Sequence, residues 1–351
     1  MSKYWSKLAA RLEPYVPGEQ LKDKKYIKLN TNENPYPPSP KALEAIKAAA
    51  DGSLKLYPDP LAADLRSTLA EHYGLKSSQV FVGNGSDEVL AFSFMAFFNA
   101  EEEVLFPDVT YSFYPVYANI FNISYRLVPL AEDFSLPVEG FFNAEGGVII
   151  PNPNAPTARA ISSKDIEMIL VNNKDKVVIV DEAYVDFGAE SVVELVDKHE
   201  NLLVVQTLSK SRSLAGLRVG WAFGQEDLID GLTRVKDSIN SYTLDRLALI
   251  GAAEAIKDED YFQETRERIM ATRERITASL ENLGFKVIPS KANFIFITHE
   301  NTPAEDIFKR LREEGVLVRY FNKPGIDNYL RVSIGTDEEM DAMIEKLLIV
   351  L

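Results

Sequence analysis

The 351 residues carry 38 Lys and Arg against 53 Asp and Glu, a formal charge of −15, with 46% apolar and 26% charged residues. That balance describes a globular chain long enough for two domains and a large buried core, and its scattered acidic excess argues against nucleic acid or an anionic membrane as partner. There is no cysteine, which removes disulfides, thiol catalysis and iron–sulfur clusters, and His72, His199 and His299 stand far apart without metal-ligand spacing.

Residues 1–20 contain lysines but no apolar segment followed by a small-residue cleavage site, so a cytoplasmic protein is expected. The chain to about residue 35 is rich in Pro, Lys and Asn and reads as an extended arm. A helix is expected at about Lys41 to Ala50 and, after the turn-forming Leu56-Tyr57-Pro58-Asp59-Pro60, a second from Leu61 to Tyr73, where Leu61, Leu65 and Leu69 recur at helical spacing. The most apolar run, Val89 to Ala100, is too short to span a bilayer and reads as a buried helix.

From Val80 onward strands and helices alternate. Strands are expected at Val80–Val82, Val104–Phe106, Ser124–Val128, Val148–Ile150, Val177–Val180, Leu202–Gln206 and Val219–Phe223. Alternation of this kind implies an α/β fold with a mostly parallel central sheet and helices on both faces, and such sheets bind ligands beyond the carboxyl ends of their strands. Thr243 to Leu283 reads as nearly continuous helix, and Phe285 to Leu351 as a smaller α+β domain. The expected division is an arm or part of the small domain over 1–35, a large domain over 36–245 and a small domain over 246–351.

Four polar sequences fall at the same end of four of these strands. Gly83-Asn84-Gly85-Ser86 precedes a helix expected to open at Asp87-Glu88, a place where bare backbone N–H groups can meet an anion. Asn152-Pro153-Asn154 follows a second strand. Asp181 ends the apolar run Val177–Val180, and a buried carboxylate wants a cationic partner. The fourth, Gln206 to Arg218, offers the Lys210 amine, the hydroxyls of Thr207, Ser209 and Ser211, and the Arg218 guanidinium. Pyridoxal phosphate needs such a set: an amine for a Schiff base, donors for a phosphate, and a carboxylate for the pyridine nitrogen. Tyr184 is placed to reach the ring hydroxyl and Tyr111 to stack on the ring face. Taken singly, these motifs also read as a tight turn, a helix cap, core tyrosines and a polar loop; it is their convergence that favours chemistry.

Together, Gly85-Ser86-Asp87-Glu88, Asn152 to Thr157, Asp181-Glu182-Ala183-Tyr184, and Ser209-Lys210 with Arg218 eight residues on resemble the fold-type I pyridoxal-phosphate-dependent aminotransferases over nearly the whole chain. The short length, Pro14-Tyr15-Val16-Pro17-Gly18, Leu29 to Pro35, Tyr57-Pro58-Asp59 and Leu330 to Thr336 resemble the branch whose amino donor carries a phosphate and whose acceptor is a 2-oxo acid. The resemblance implies that Lys210 carries the cofactor and shuttles protons, that Asp181 pairs with the ring nitrogen and that Tyr184 meets the ring hydroxyl. It further implies that Gly85 belongs to the cofactor site and that Ser86, Asp87, Thr207, Ser209 and Arg218 hold the phosphate, joined by Tyr57 from a neighbouring subunit, so that a homodimer shares the active site. Asn154 and Tyr111 would touch the cofactor, and Tyr15, Asn32, Arg319 and Arg331 would face the substrate. Two residues depart from the family pattern: Ala155 stands where an asparagine usually meets the ring hydroxyl, and Ala158 stands for a glycine, which suggests a different turn. An aromatic or broad-range aminotransferase and a threonine-phosphate decarboxylase-like lyase share much of this pattern, and consumption of a 2-oxo acid separates the lyase. A noncatalytic cofactor-binding module is disfavoured by the presence of Lys210.

Overall fold

The computed structural model describes residues 2–12, 19, 21 and 23–351. In chain order its strands are β1 (Ile27–Lys28), β2 (Val80–Gly83), β3 (Val104–Pro107), β4 (Tyr125–Val128), β5 (Gly147–Pro151), β6 (Val178–Asp181), β7 (Leu202–Thr207), β8 (Gly220–Phe223), β9 (Phe285–Ile288), β10 (Phe294–His299), β11 (Val316–Leu317), β12 (Arg319–Tyr320) and β13 (Leu330–Ser333). Among the described residues, seven form a central sheet in the order β2-β8-β7-β6-β5-β3-β4, with β8 alone running against the others. Its central strands are buried along their whole length, as a sheet covered on both faces requires, which is why they read as unbroken apolar runs.

Alternate residues of each strand feed two different cores. Val178, Val180, Leu202 and Val204 pack with Leu65, Leu69, Ile166, Ala248 and Ala252 on one face, whereas Ile179, Leu203 and Val205 pack with Val89, Phe94, Tyr114 and Leu232 on the other. A smaller antiparallel sheet, β12-β13-β10-β9, packs against the helices Glu259–Asn282, Ala304–Glu313 and Asp337–Val350. β1 pairs in parallel with β11, and Ser333 N–H donates to the Leu29 carbonyl at 2.9 Å, so the start of the chain is sewn to its end.

Three sequence expectations are corrected. The first 35 residues are not all extended, since Lys7–Arg11 form a short helix capped by the Ser6 hydroxyl. The helix expected from Asp87 opens at Gly85, because glycine reaches the positive φ of 80° needed there. The long helical stretch 243–283 is two helices, Arg246–Lys257 and Glu259–Asn282, broken at Asp258. The Asp258 carboxylate accepts from Ser39 and Lys41 instead of lying along a helix face.

Candidate active site

The carboxyl ends of β5, β6 and β7 and the start of the helix Gly85–Phe97 open on one cleft of about 880 Å³. It is lined by Ser86, Asp87, Tyr111, Ala155, Asp181, Tyr184, Thr207, Ser209, Lys210 and Arg218 from the large sheet, and by Asn30, Thr31, Asn32, Arg319 and Arg331 from the opposite wall. Four cationic side chains therefore face two carboxylates there, reversing locally the charge of the whole chain.

The floor is built by close approach. Gly220 lies against the backbone of Gly85 and Ser86, and a Cβ on it would collide with Ser86 N. A Cβ on Gly85 would come within 2.6 Å of Arg218 Nη2. Arg218 itself is held in the left-handed region at φ 55°, a strained conformation of the kind that gathers at ligand sites. Its guanidinium contacts Asp87 Oδ2 at 3.1 Å and Ser209 Oγ at 3.5 Å, and Thr207 Oγ1 lies 3.0 Å from the same serine hydroxyl. A helix N-terminus, two hydroxyls and a guanidinium converging on one spot suit a phosphate dianion.

Lys210 sits on a loop that is buried and pinned. Asn34 Nδ2 donates to the carbonyls of both Lys210 and Ser211 at 3.1 Å. Ser211 Oγ donates to Asp186, and Arg212 donates to the Ala255 carbonyl at 2.8 Å and lies over the Phe262 ring. The polar-loop reading of this stretch therefore fails: ordered partners on three sides hold the lysine. Its Nζ lies 5.5 Å from the centroid of the Tyr184 ring.

Asp181 is buried at the edge of the cleft. Tyr114, with its ring entirely buried, donates its hydroxyl to Asp181 Oδ2 at 2.8 Å, and the Ala183 N–H donates to the other oxygen at 3.1 Å. Burial nevertheless pushes this carboxyl up to about 6, with the Tyr114 and Ala183 bonds opposing the rise. A carboxylate held so reluctantly in its charged form gains most from a protonated pyridine nitrogen beside it. The residues present thus fit pyridoxal phosphate at all three ends: amine, ring nitrogen and phosphate.

Not every expected residue reaches the cleft. Asn154 lines an adjoining cavity with Phe134 and Arg159, its Nδ2 donating to Val109 O and Thr157 Oγ1. Tyr57 is 78% exposed and stacked on Tyr242, away from this cleft. Tyr15 lies outside the described residues. Asn32 lines the cleft, but its amide is committed to Tyr184 and Ser333. Ala158 takes φ 63°, a left-handed conformation that glycine reaches more easily than alanine.

Tyr114 and Asn34 were missed by sequence reasoning. The signal for Tyr114 was its spacing of three from Tyr111, which puts both rings on one face of a helical turn; nothing local marked Asn34.

The model of the aminotransferase class I and II family matches residues 24–347. The chain is 62% identical over 347 residues to the histidinol-phosphate aminotransferase of Clostridium acetobutylicum, covering 99% of both chains. It is 60% identical to that of Clostridium botulinum, covering 99% of this chain and 98% of the relative. Among solved structures, the histidinol-phosphate aminotransferase of Sinorhizobium meliloti in complex with pyridoxal-5'-phosphate superposes with a TM-score of 0.89 at 25% identity, covering 100% of this chain and 98% of that one.

Proposed function

The chain belongs to the class I and II aminotransferases, and on that premise we propose that it moves the amino group of L-histidinol phosphate to 2-oxoglutarate, yielding imidazole-acetol phosphate and L-glutamate in histidine biosynthesis. One geometric observation carries the substrate class: Arg319 and Arg331 are directly opposed across the antiparallel pair β12 and β13, and both line the cleft. Like charges so placed repel, and an anionic group between them turns that repulsion into binding. In one half-reaction the anion is the donor's phosphate, in the other a carboxylate of the acceptor.

Pyridoxal phosphate is the cofactor and, when bound, supplies the electron sink that makes loss of a Cα proton feasible. Around it the chain's own groups divide the work. Lys210 would hold the cofactor through its side-chain amine, and that amine, once free, is the base placed to move the proton at the substrate's Cα. The Asp181 carboxylate, oriented by Tyr114 and Ala183, keeps the ring nitrogen protonated. Arg218, Ser209, Thr207 and the N–H groups at Ser86 and Asp87 hold the phosphate. Tyr184 would meet the ring hydroxyl, the more so because Ala155 has no side-chain donor to offer.

The homodimer is part of this reading, with Tyr57 of the partner subunit completing the phosphate site. Its support is the exposure of Leu54, Leu56, Tyr57 and Leu61 on one short stretch, an apolar surface of the kind that partners cover. Among the described residues no helix is long and apolar enough to cross a membrane, and we place the enzyme in the cytoplasm.

The test is a half-reaction. Holoenzyme mixed with L-histidinol phosphate and no oxo acid should lose its visible cofactor band, and phenylalanine should act weakly. Fast conversion by phenylalanine with none by histidinol phosphate would transfer the enzyme to the aromatic aminotransferases; turnover without consumption of 2-oxoglutarate would mark a lyase.

A further inference from the structure

Asn32 is 1% exposed and sits at φ 54°, a left-handed conformation that asparagine tolerates better than most non-glycine residues. Each of its polar groups has a partner. Its N–H donates to Ser333 Oγ at 2.8 Å, and Asn293 Nδ2 donates to its carbonyl at 3.0 Å. Because Ser333 Oγ accepts from that backbone N–H, its proton goes to Asn32 Oδ1 at 3.0 Å. This assigns the carboxamide: the oxygen faces Ser333, and Nδ2 must face the Tyr184 hydroxyl, to which it donates at 3.0 Å. The phenol oxygen thereby accepts a hydrogen bond from Asn32, and its own proton is left to point elsewhere. Tyr184 lines the cleft, while its ring edge is closed by Phe294 at a 5.0 Å centroid distance.

We propose that Asn32 and Ser333 form a positioning pair that turns the Tyr184 hydroxyl proton into the cleft and so sets the pH at which the bound cofactor titrates. The proposal rests on the cofactor reading above, in which Tyr184 meets the ring hydroxyl. Donation by Tyr184 favours the ionised ring oxygen and lowers the pH of the spectral transition. Asn32 strengthens that donation in two ways: it fixes the rotation of the hydroxyl, and by donating to the phenol oxygen it makes the phenol a better donor. The surroundings of Tyr184 also hold Lys210 at 5.5 Å from its ring, Asp181 three residues back on its own strand end, Tyr111 across the cleft, and Arg331, which lies over Phe294 at 5.4 Å. Those groups set the background midpoint and are unchanged by substitution at Asn32 or Ser333. With Ala155 at the position the family pattern gives to an asparagine, this chain places on Tyr184 a task usually shared by two side chains.

The experiment is a pH titration of the visible band of the holoenzyme. Asn32→Gly keeps the left-handed backbone while removing the carboxamide, and Ser333→Ala removes the hydroxyl that orients it with almost no change in volume. Asn32→Gly should raise the midpoint by roughly half to one pH unit, the equivalent of one hydrogen bond, and Ser333→Ala should raise it by less. In a Tyr184→Phe background neither substitution should move it further. A midpoint unchanged in both single variants, or a shift of equal size with Phe at 184, would overturn the proposal. A wild type that shows no band with pyridoxal phosphate, or a band that survives Lys210→Ala, would instead overturn the cofactor reading, and this role with it.

Discussion

The two ends of the cleft are made by different means. The end read as the phosphate site draws its donors from residues 85–87 and 207–218, which follow β2 and β7 on either side of β8 in the buried sheet. The substrate end joins the two extremes of the chain: Asn30 and Asn32 meet Arg331 and Ser333 across 301 residues of sequence, with Arg331 Nη2 donating to the Asn30 carbonyl at 2.9 Å. The first is positioned by a buried seven-stranded sheet, the second by a few hydrogen bonds between segments. On the proposed reading, cofactor binding depends on the core, whereas specificity hangs on contacts that can change without disturbing it.

The sharpest way to break this division is at Lys210. Lys210→Ala should abolish the visible band and lower turnover by roughly a thousandfold or more, with the sheet intact by circular dichroism; a variant retaining both band and turnover would sink the assignment. The next largest effect concerns buried charge beneath the phosphate end. Burial pushes Asp181 up to about 6 and Glu182 up to about 7. Carboxyls raised above their unfolded values bind protons more tightly in the folded chain, so their contribution is fully present below about pH 4 and is lost as pH rises through about 6 and 7. In cofactor-free protein, the stability difference between Asp181→Asn and wild type should thus move in the variant's favour between about pH 4 and 7, by up to about 3 kcal/mol for a two-unit shift. Denaturant melts across that range would show it, and a flat difference would mean that Asp181 is better solvated than its burial implies.

At the other end, Arg331→Gln should raise the KM for L-histidinol phosphate roughly tenfold to a hundredfold, the worth of a charge-assisted hydrogen bond, while the visible cofactor band is retained. An equal penalty for phenylalanine, which offers a carboxylate but no phosphate, would show that the arginine does not select for the phosphate. The smallest effect is expected at the turn between the two ends. Ala158→Gly relieves the left-handed strain but loses a buried methyl and gains unfolded-state freedom, so its denaturation midpoint should stay within about 1 kcal/mol of wild type.

Much of the phosphate end was legible because its information is local. Gly85-Ser86-Asp87, Asp181 and Ser209-Lys210 lie within a few residues of strand ends, and a strand buried on both faces announces itself as an apolar run with a polar stop. The helix boundary at Asp258 was hidden, because the Ser39 and Lys41 partners that draw its carboxylate away come from a helix some 220 residues earlier. Tyr114 was hidden for a related reason: its bond to Asp181 spans 67 residues. Tyr57 was legible only as a likeness; on a single chain it points to solvent.

By itself, then, the amino-acid order determined the alternating strands, the two-faced core and the chemistry on offer at each strand end, since side-chain period and composition act over a handful of residues. The tertiary structure alone decided which way protons point: Tyr114 toward Asp181, Asn32 toward Tyr184, Asn34 toward the carbonyls of the lysine loop. Hydrogen bonds need partners within about 3 Å, and whether two side chains from opposite ends of the chain meet at that distance is settled when the sheets pack, not when the residues are strung.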